Sequence, residues 1–198
     1  MGRLDDRVAI VTGGGRGIGQ ATSLRLAADG ASVVVNDIDD APANETVALI
    51  EAAGGKAIAC VANTVEMAQA ERLVQTAVDT YGKIDIIVNN AGVTRDKMFH
   101  GLDDAQFDFV FDANLKTGFH TTLAAMPYLR EVAKKEIAEN GKVAYNRKIV
   151  STSSVAALIG NRSSWDALFL SGLERGGADF TALVHAIGRS YRMGLGEP

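Results

Sequence analysis

The chain has 198 residues, of which 47% are hydrophobic and 22% charged, with a formal net charge of −4 and one cysteine. That length and apolar content suffice for one domain with a buried core and no need of metal or disulfide staples. An acidic balance without a long basic tract lacks the electrostatic footprint of a nucleic-acid binder, and a single cysteine excludes both an intrachain disulfide and a cysteine-rich metal site. Cys60 therefore reads as core, and no metal is expected. No apolar stretch is long enough to span a bilayer, and Met1 to Arg7 carries charges of both signs without a signal-peptide core. The expectation is a cytoplasmic protein without membrane contact.

Val8, Ala9, Ile10 and Val11 make the first apolar run, and Thr12-Gly13-Gly14-Gly15-Arg16-Gly17-Ile18-Gly19 follows it at the start of a helical pattern. Glycines permit positive φ and let a backbone approach a pyrophosphate, while the N–H groups at a helix start attract its charge. Gly13, Arg16, Gly17, Ile18 and Gly19 are thus candidate cofactor residues, against the plainer reading of a flexible turn. Val33 to Val35 form the second run, and Asp37 comes eighteen residues after Gly19. A dinucleotide-binding fold places an acid there for the adenosine ribose hydroxyls. Such a carboxylate repels a 2′-phosphate and favours NAD over NADP, with Arg16 a partial offset. The alternative is a solvated acid at a strand end, since Asp39 and Asp40 follow.

Ala41 to Ala53 is predicted as a helix stopped by Gly54-Gly55, and Ala57 to Val61 as the third strand. Ala70, Leu73, Val74, Ala77, Val78 and Tyr81 recur at helical spacing with polar residues between them, a one-sided amphipathic helix. Ile84 to Val88 reads as the fourth strand. The helical pattern from Phe119 to about Asn140 ends at turns marked by Gly141 and Asn146, before Ile149 and Val150 open a fifth strand. Lys134, Lys135, Glu136, Glu139 and Lys142 make that connection polar and solvated. Short continuous apolar runs alternating with helices specify an α/β fold, a Rossmann-type doubly wound parallel sheet buried on both faces.

The fourth run ends in Asn89-Asn90-Ala91-Gly92. TGxxxGxG after the first strand with NNAG after the fourth resembles the short-chain dehydrogenase/reductase family, over about Asp5 to Asn161. The resemblance implies NAD-dependent hydride transfer to or from a small-molecule secondary alcohol or ketone. Asn90, Ala91 and Gly92 would then neighbour the cofactor, and Asn63 with Thr64 would lie at the adenine ring. Val93-Thr94-Arg95-Asp96 resembles the 3-oxoacyl-carrier-protein reductase branch, which makes a 3-oxoacyl or 3-hydroxyacyl thioester one candidate substrate. Asn114 matches the catalytic-tetrad Asn within a long helix, and Ser154, with Ser153 beside it, the serine that hydrogen-bonds the substrate oxygen. The family's subunits pair as homodimers or homotetramers through the long helices after the fourth and fifth strands; the first of these, beginning near Ala105, is retained.

The pattern then breaks. The family's Tyr belongs thirteen residues after that serine and its Lys four residues later, but Ala167 and Ser171 occupy these positions. A ketone oxygen needs a proton donor, and a phenol of pKa about 10 needs a nearby cation to serve near neutral pH. From Arg162 the resemblance stops, and Pro198 is reached before the family's sixth and seventh strands. The expectation is a single dinucleotide-binding domain over 1–198, family-like over 1–161 and divergent over 162–198. The sheet would lack the family's last strands through an altered coding sequence near Asn161 to Ser164. A naturally inactive homologue, or a divergent enzyme using His185, are the alternatives. Functionally, an oxidoreductase of lost or nearly lost activity stands against a non-catalytic NAD-binding or subunit-interaction protein.

Overall fold

The computed structural model describes residues 2–95, 101 and 103–153. One compact unit comprises residues 2–91 and 116–150; residues 92–115 belong to a second. The first holds strands β1 (Val8–Val11), β2 (Ser32–Asp37), β3 (Lys56–Val61) and β4 (Ile86–Asn89), and helices α1 (Gly17–Ala28), α2 (Asp40–Ala52) and α3 (Met67–Tyr81). The sheet continues through β5 (Lys148–Ser151) in the order β3-β2-β1-β4-β5. The β1–β2, β1–β4 and β2–β3 ladders are parallel, with Ala9 opposite both Val33 and Ile86.

The continuous apolar runs are explained by two cores, one on each face. Successive strand side chains point to opposite sides. Val8, Ile10, Val34 and Ile87 therefore pack with Leu73, Val74 and Ala77 of α3, whereas Ala9, Val11, Val33, Val35, Ile86 and Val88 pack with Ala27 of α1 and Ala43 and Ile50 of α2. A fully buried side chain such as Leu73 is worth roughly 1.5–3 kcal/mol. The chain runs outward from β1 to β3, then returns through α3 to β4 on the far side of β1. That reversal makes the C-terminal ends of β1 and β4 the topological switch point of the sheet, where open α/β folds bind their ligands.

Boundaries shift modestly from those predicted. β2 extends through Asp37, so that residue ends the strand instead of following it. β4 begins at Ile86, because the buried Asp85 carboxylate, and not a strand carbonyl, accepts the Val8 N–H at 3.1 Å. The expected helix through Asn140 is α5 (Thr117–Met126), a wider π-helical turn at Pro127–Glu131, and α6 (Val132–Asn140). Proline has no N–H to continue the ladder, which accounts for the widened turn. Gly141 then stops α6 in the left-handed region at φ 73°, its N–H on the Ile137 carbonyl at 2.8 Å. Ile149 and Val150 of β5, expected to be buried, are half exposed: this strand lies at the margin of the described sheet, outside both core clusters.

The second unit contains a helix, α4 (Asp104–Phe111), whose start is capped by the Asp103 carboxylate accepting the Gln106 N–H at 2.8 Å. Phe107 and Phe111 stack one turn apart with ring centroids at 6.0 Å. Among the described residues, no helix is long and apolar enough to cross a membrane.

Candidate functional site

Thr12, at the end of β1, ties the switch point together. Its buried hydroxyl accepts the N–H groups of Asn90 and Ala91, each at 3.0 Å, and donates to the Val88 carbonyl at 3.4 Å. The Asn90 amide returns the link, donating to the carbonyls of Thr12 (3.0 Å) and Gly13 (3.2 Å). These bonds bring Asn90 and Ala91 against Gly13. Gly19 must be glycine, because a Cβ there would enter the Gly13 carbonyl and come within 2.6 Å of the Asn90 amide. Gly17 takes φ 52° with open space where a Cβ would project.

Arg16 occupies the N-cap of α1 without a side-chain cap bond, and the first turn contains no acid. The N–H groups of Gly17, Ile18 and Gly19 therefore point out of the helix start uncapped. Ile18 is largely exposed beside them. An open surface over Gly17, uncapped donors and a positive helix end fit a pyrophosphate.

Asp37 closes the other side. Its Oδ2 accepts the Gly15 N–H at 3.1 Å and its Oδ1 the Asp39 N–H at 3.2 Å, which fixes the carboxylate against the glycine loop. The neighbouring Asn36, missed in the sequence, donates from Nδ2 to the Cys60 (3.0 Å) and Ala62 (2.9 Å) carbonyls and locks the ends of β2 and β3. Its only sequence signal is a polar residue within an apolar run. Cys60 is buried, as expected. Arg16 reaches across to Asp39 at 2.8 Å, a partner that the sequence did not indicate. Beyond β3, Asn63 is exposed and Thr64 buried; the Asn63 Oδ1 accepts the Val65 N–H at 3.2 Å and shapes the turn. Asn89 was also missed: it donates to the Thr122 hydroxyl at 3.0 Å and so ties β4 to α5.

In the second unit Gly92 is exposed, and Asn114 pairs with the Val93 backbone in both directions, Nδ2 to the carbonyl and N–H to Oδ1, each at 2.8 Å. Asn114 sits in a π-helical turn, Asp112–Lys116, and not in the regular helix expected. Such one-turn widenings recur at functional sites. Ser153 is exposed; Ser154, Ala167, Ser171 and His185 lie outside the described residues. Among the described residues, no cluster of three or more His, Cys, Asp or Glu could hold a metal ion.

The sequence profile of the family described as short chain dehydrogenase matches residues 7–164. The chain belongs to this family. The hydroxyacyl-CoA dehydrogenase ChsB1 of Mycobacterium tuberculosis is 43% identical over 162 residues, covering 79% of this chain and 50% of that protein. The 3-oxoacyl-[acyl-carrier-protein] reductase FabG of Thermotoga maritima is 35% identical over 159 residues, covering 80% of this chain and 60% of the reductase. Among solved structures, a short chain dehydrogenase from Mycobacterium avium superimposes with a TM-score of 0.78 at 38% identity, covering 90% of this chain and 65% of that one. The chain thus spans half to two thirds of the length of these relatives, and the five-stranded sheet with flanking helices formed by the described residues is the fold that the resemblance implied.

Proposed function

We propose that this short chain dehydrogenase binds a nicotinamide dinucleotide at the switch point, with NAD preferred. The observation that carries the reading is the Gly15 N–H to Asp37 bond at 3.1 Å, which holds a carboxylate beside the glycine loop where it can accept from ribose hydroxyls and repel a 2′-phosphate. Gly13, Gly17, Ile18 and Gly19 would hold the pyrophosphate through the start of α1. Asn63 and Thr64 would lie toward the adenine, and Asn90, Ala91 and Gly92 toward the nicotinamide. When bound, the nicotinamide supplies or takes the hydride. The substrate class is a secondary alcohol or ketone; the names of the two relatives favour a 3-hydroxyacyl or 3-oxoacyl thioester. Asn114 and Ser154 are the proposed substrate-side residues, in a cytoplasmic homodimer or homotetramer.

Ala167 and Ser171 favour a second reading, in which the 198-residue chain binds dinucleotide without turnover and acts through subunit contacts. Neither side chain can deliver a proton as a phenol next to an ammonium does. Calorimetric titration with NADH and NADPH tests binding, and oxidation of NADH with acetoacetyl-CoA and a ketone panel tests turnover. Binding of NADH with negligible turnover is the expected result. Turnover at ordinary enzymatic rates, lost in Ser154→Ala, would refute the inactive reading, and absence of NADH binding would refute both.

A further inference from the structure

We infer that Asp39 determines the choice between NAD and NADP together with Asp37, by holding Arg16 away from a 2′-phosphate. The inference rests on the dinucleotide reading above. Arg16 is the only cation in the loop from Thr12 to Gly19. A guanidinium is the side chain best suited to a phosphate, because its forked donors match the oxygens. Here that guanidinium is spent on a carboxylate, with Nη1 2.8 Å from the Asp39 Oδ2. The Asp39 N–H in turn binds Asp37, whose other oxygen takes the Gly15 N–H. One short network therefore joins the loop cation, the ribose-facing acid and the turn from β2 into α2.

Exposure decides how strong this latch is. The Arg16 and Asp39 side chains are 63% and 50% exposed, so solvent screens the pair and its opening costs at most about fivefold in equilibrium. Removal of the Asp39 charge acts twice in favour of a 2′-phosphate: it frees Arg16 and deletes a nearby negative charge. A ribose hydroxyl is neutral and feels little of either. The ratio of NADPH to NADH affinity should rise roughly tenfold in total, each contribution being a few-fold at a screened surface. Asp37 remains, so NAD preference is reduced, not abolished.

The test is titration of the 198-residue chain and of Asp39→Asn, Arg16→Gln and the double variant with NADH and NADPH, followed by nicotinamide fluorescence at low salt. Asp39 caps α2 without a side-chain cap bond, so the Asn variant loses no helix contact; Asp39→Ser supplies the same comparison should the Asn variant melt early. The expected result is a roughly tenfold shift of the affinity ratio toward NADPH in Asp39→Asn, cut to a few-fold by adding Arg16→Gln, since only the deleted negative charge then acts. An unchanged ratio with NADH still bound overturns the inference alone. A roughly tenfold shift that survives undiminished in the double variant also overturns it, because Arg16 would then have no part. A parent chain that binds neither nucleotide overturns the dinucleotide reading and this inference with it.

Discussion

Thr12 shows how much of the site depends on one small side chain. Its hydroxyl satisfies two main-chain N–H groups of the Asn90-Ala91 turn and is itself buried. Thr12→Val keeps the shape and removes the acceptor, so the N–H groups lose their partner inside the protein. The expected cost is about 2 kcal/mol, since an unsatisfied donor forfeits its desolvation and not merely a bond. Urea unfolding measures it, and a midpoint shift indistinguishable from zero would mean that water replaces the hydroxyl. Gly19→Ala should cost a similar amount at the same place: its Cβ would collide with backbone, and overpacking of this kind costs about 1–3 kcal/mol, with NADH binding lost as well. The glycine pattern was legible in the sequence because it is local. The partners of Thr12 were not, because Asn90 lies 78 residues away and only the placement of β4 beside β1 brings the two together.

Among the elements, the polar connection through α6 read as a solvated extension, and its charges proved more specific than that. Both Glu136 oxygens bind Arg147, at 2.8 and 3.2 Å, and one also accepts the Ala144 N–H at 3.1 Å, so the loop before β5 is stapled to the helix. The Arg147 hydrogen bond is the main reason that the Glu136 carboxyl ionises below the ordinary glutamate value of 4.5. A lowered native pKa stabilises the folded state fully above the unfolded value and loses that contribution as pH falls through the native one. The parent chain should therefore be more stable than Glu136→Gln near pH 6, with the gap closing as the pH falls below about 4.5 and through the lowered native value. Paired urea melts across that range check it; a gap that stays constant with pH would assign the effect to geometry instead of charge. Periodicity could not reveal the π-helical turn at Asn114 either, because one extra residue in a turn leaves the surrounding apolar spacing nearly intact.

At the scale of the molecule, the architecture was readable because strands covered on both faces read as continuous apolar runs, as Val8 to Val11, Val33 to Val35, Ala57 to Val61 and Ile86 to Val88 do. β5 was misread by the same rule, since an apolar pair such as Ile149-Val150 does not announce that its faces stay half open. A similar ambiguity surrounds α5. Its Thr121 and Ala125 are buried, while Phe119 and Leu123, one turn apart, are 58% and 46% exposed. Exposed leucines scattered singly are ordinary, but an aromatic and a leucine at i and i+4 make one continuous strip on an otherwise packed helix. In the proposed oligomer a second copy of the chain covers that strip. Phe119→Asp with Leu123→Asp should convert a dimer or tetramer to monomer in light scattering, because two carboxylates buried face to face are costly. Thermal melts at low protein concentration should shift little, since neither side chain contributes to either core cluster. A parent chain that is already monomeric at micromolar loading, or a double variant that keeps its mass, would remove α5 from the interface and leave the strip to another partner.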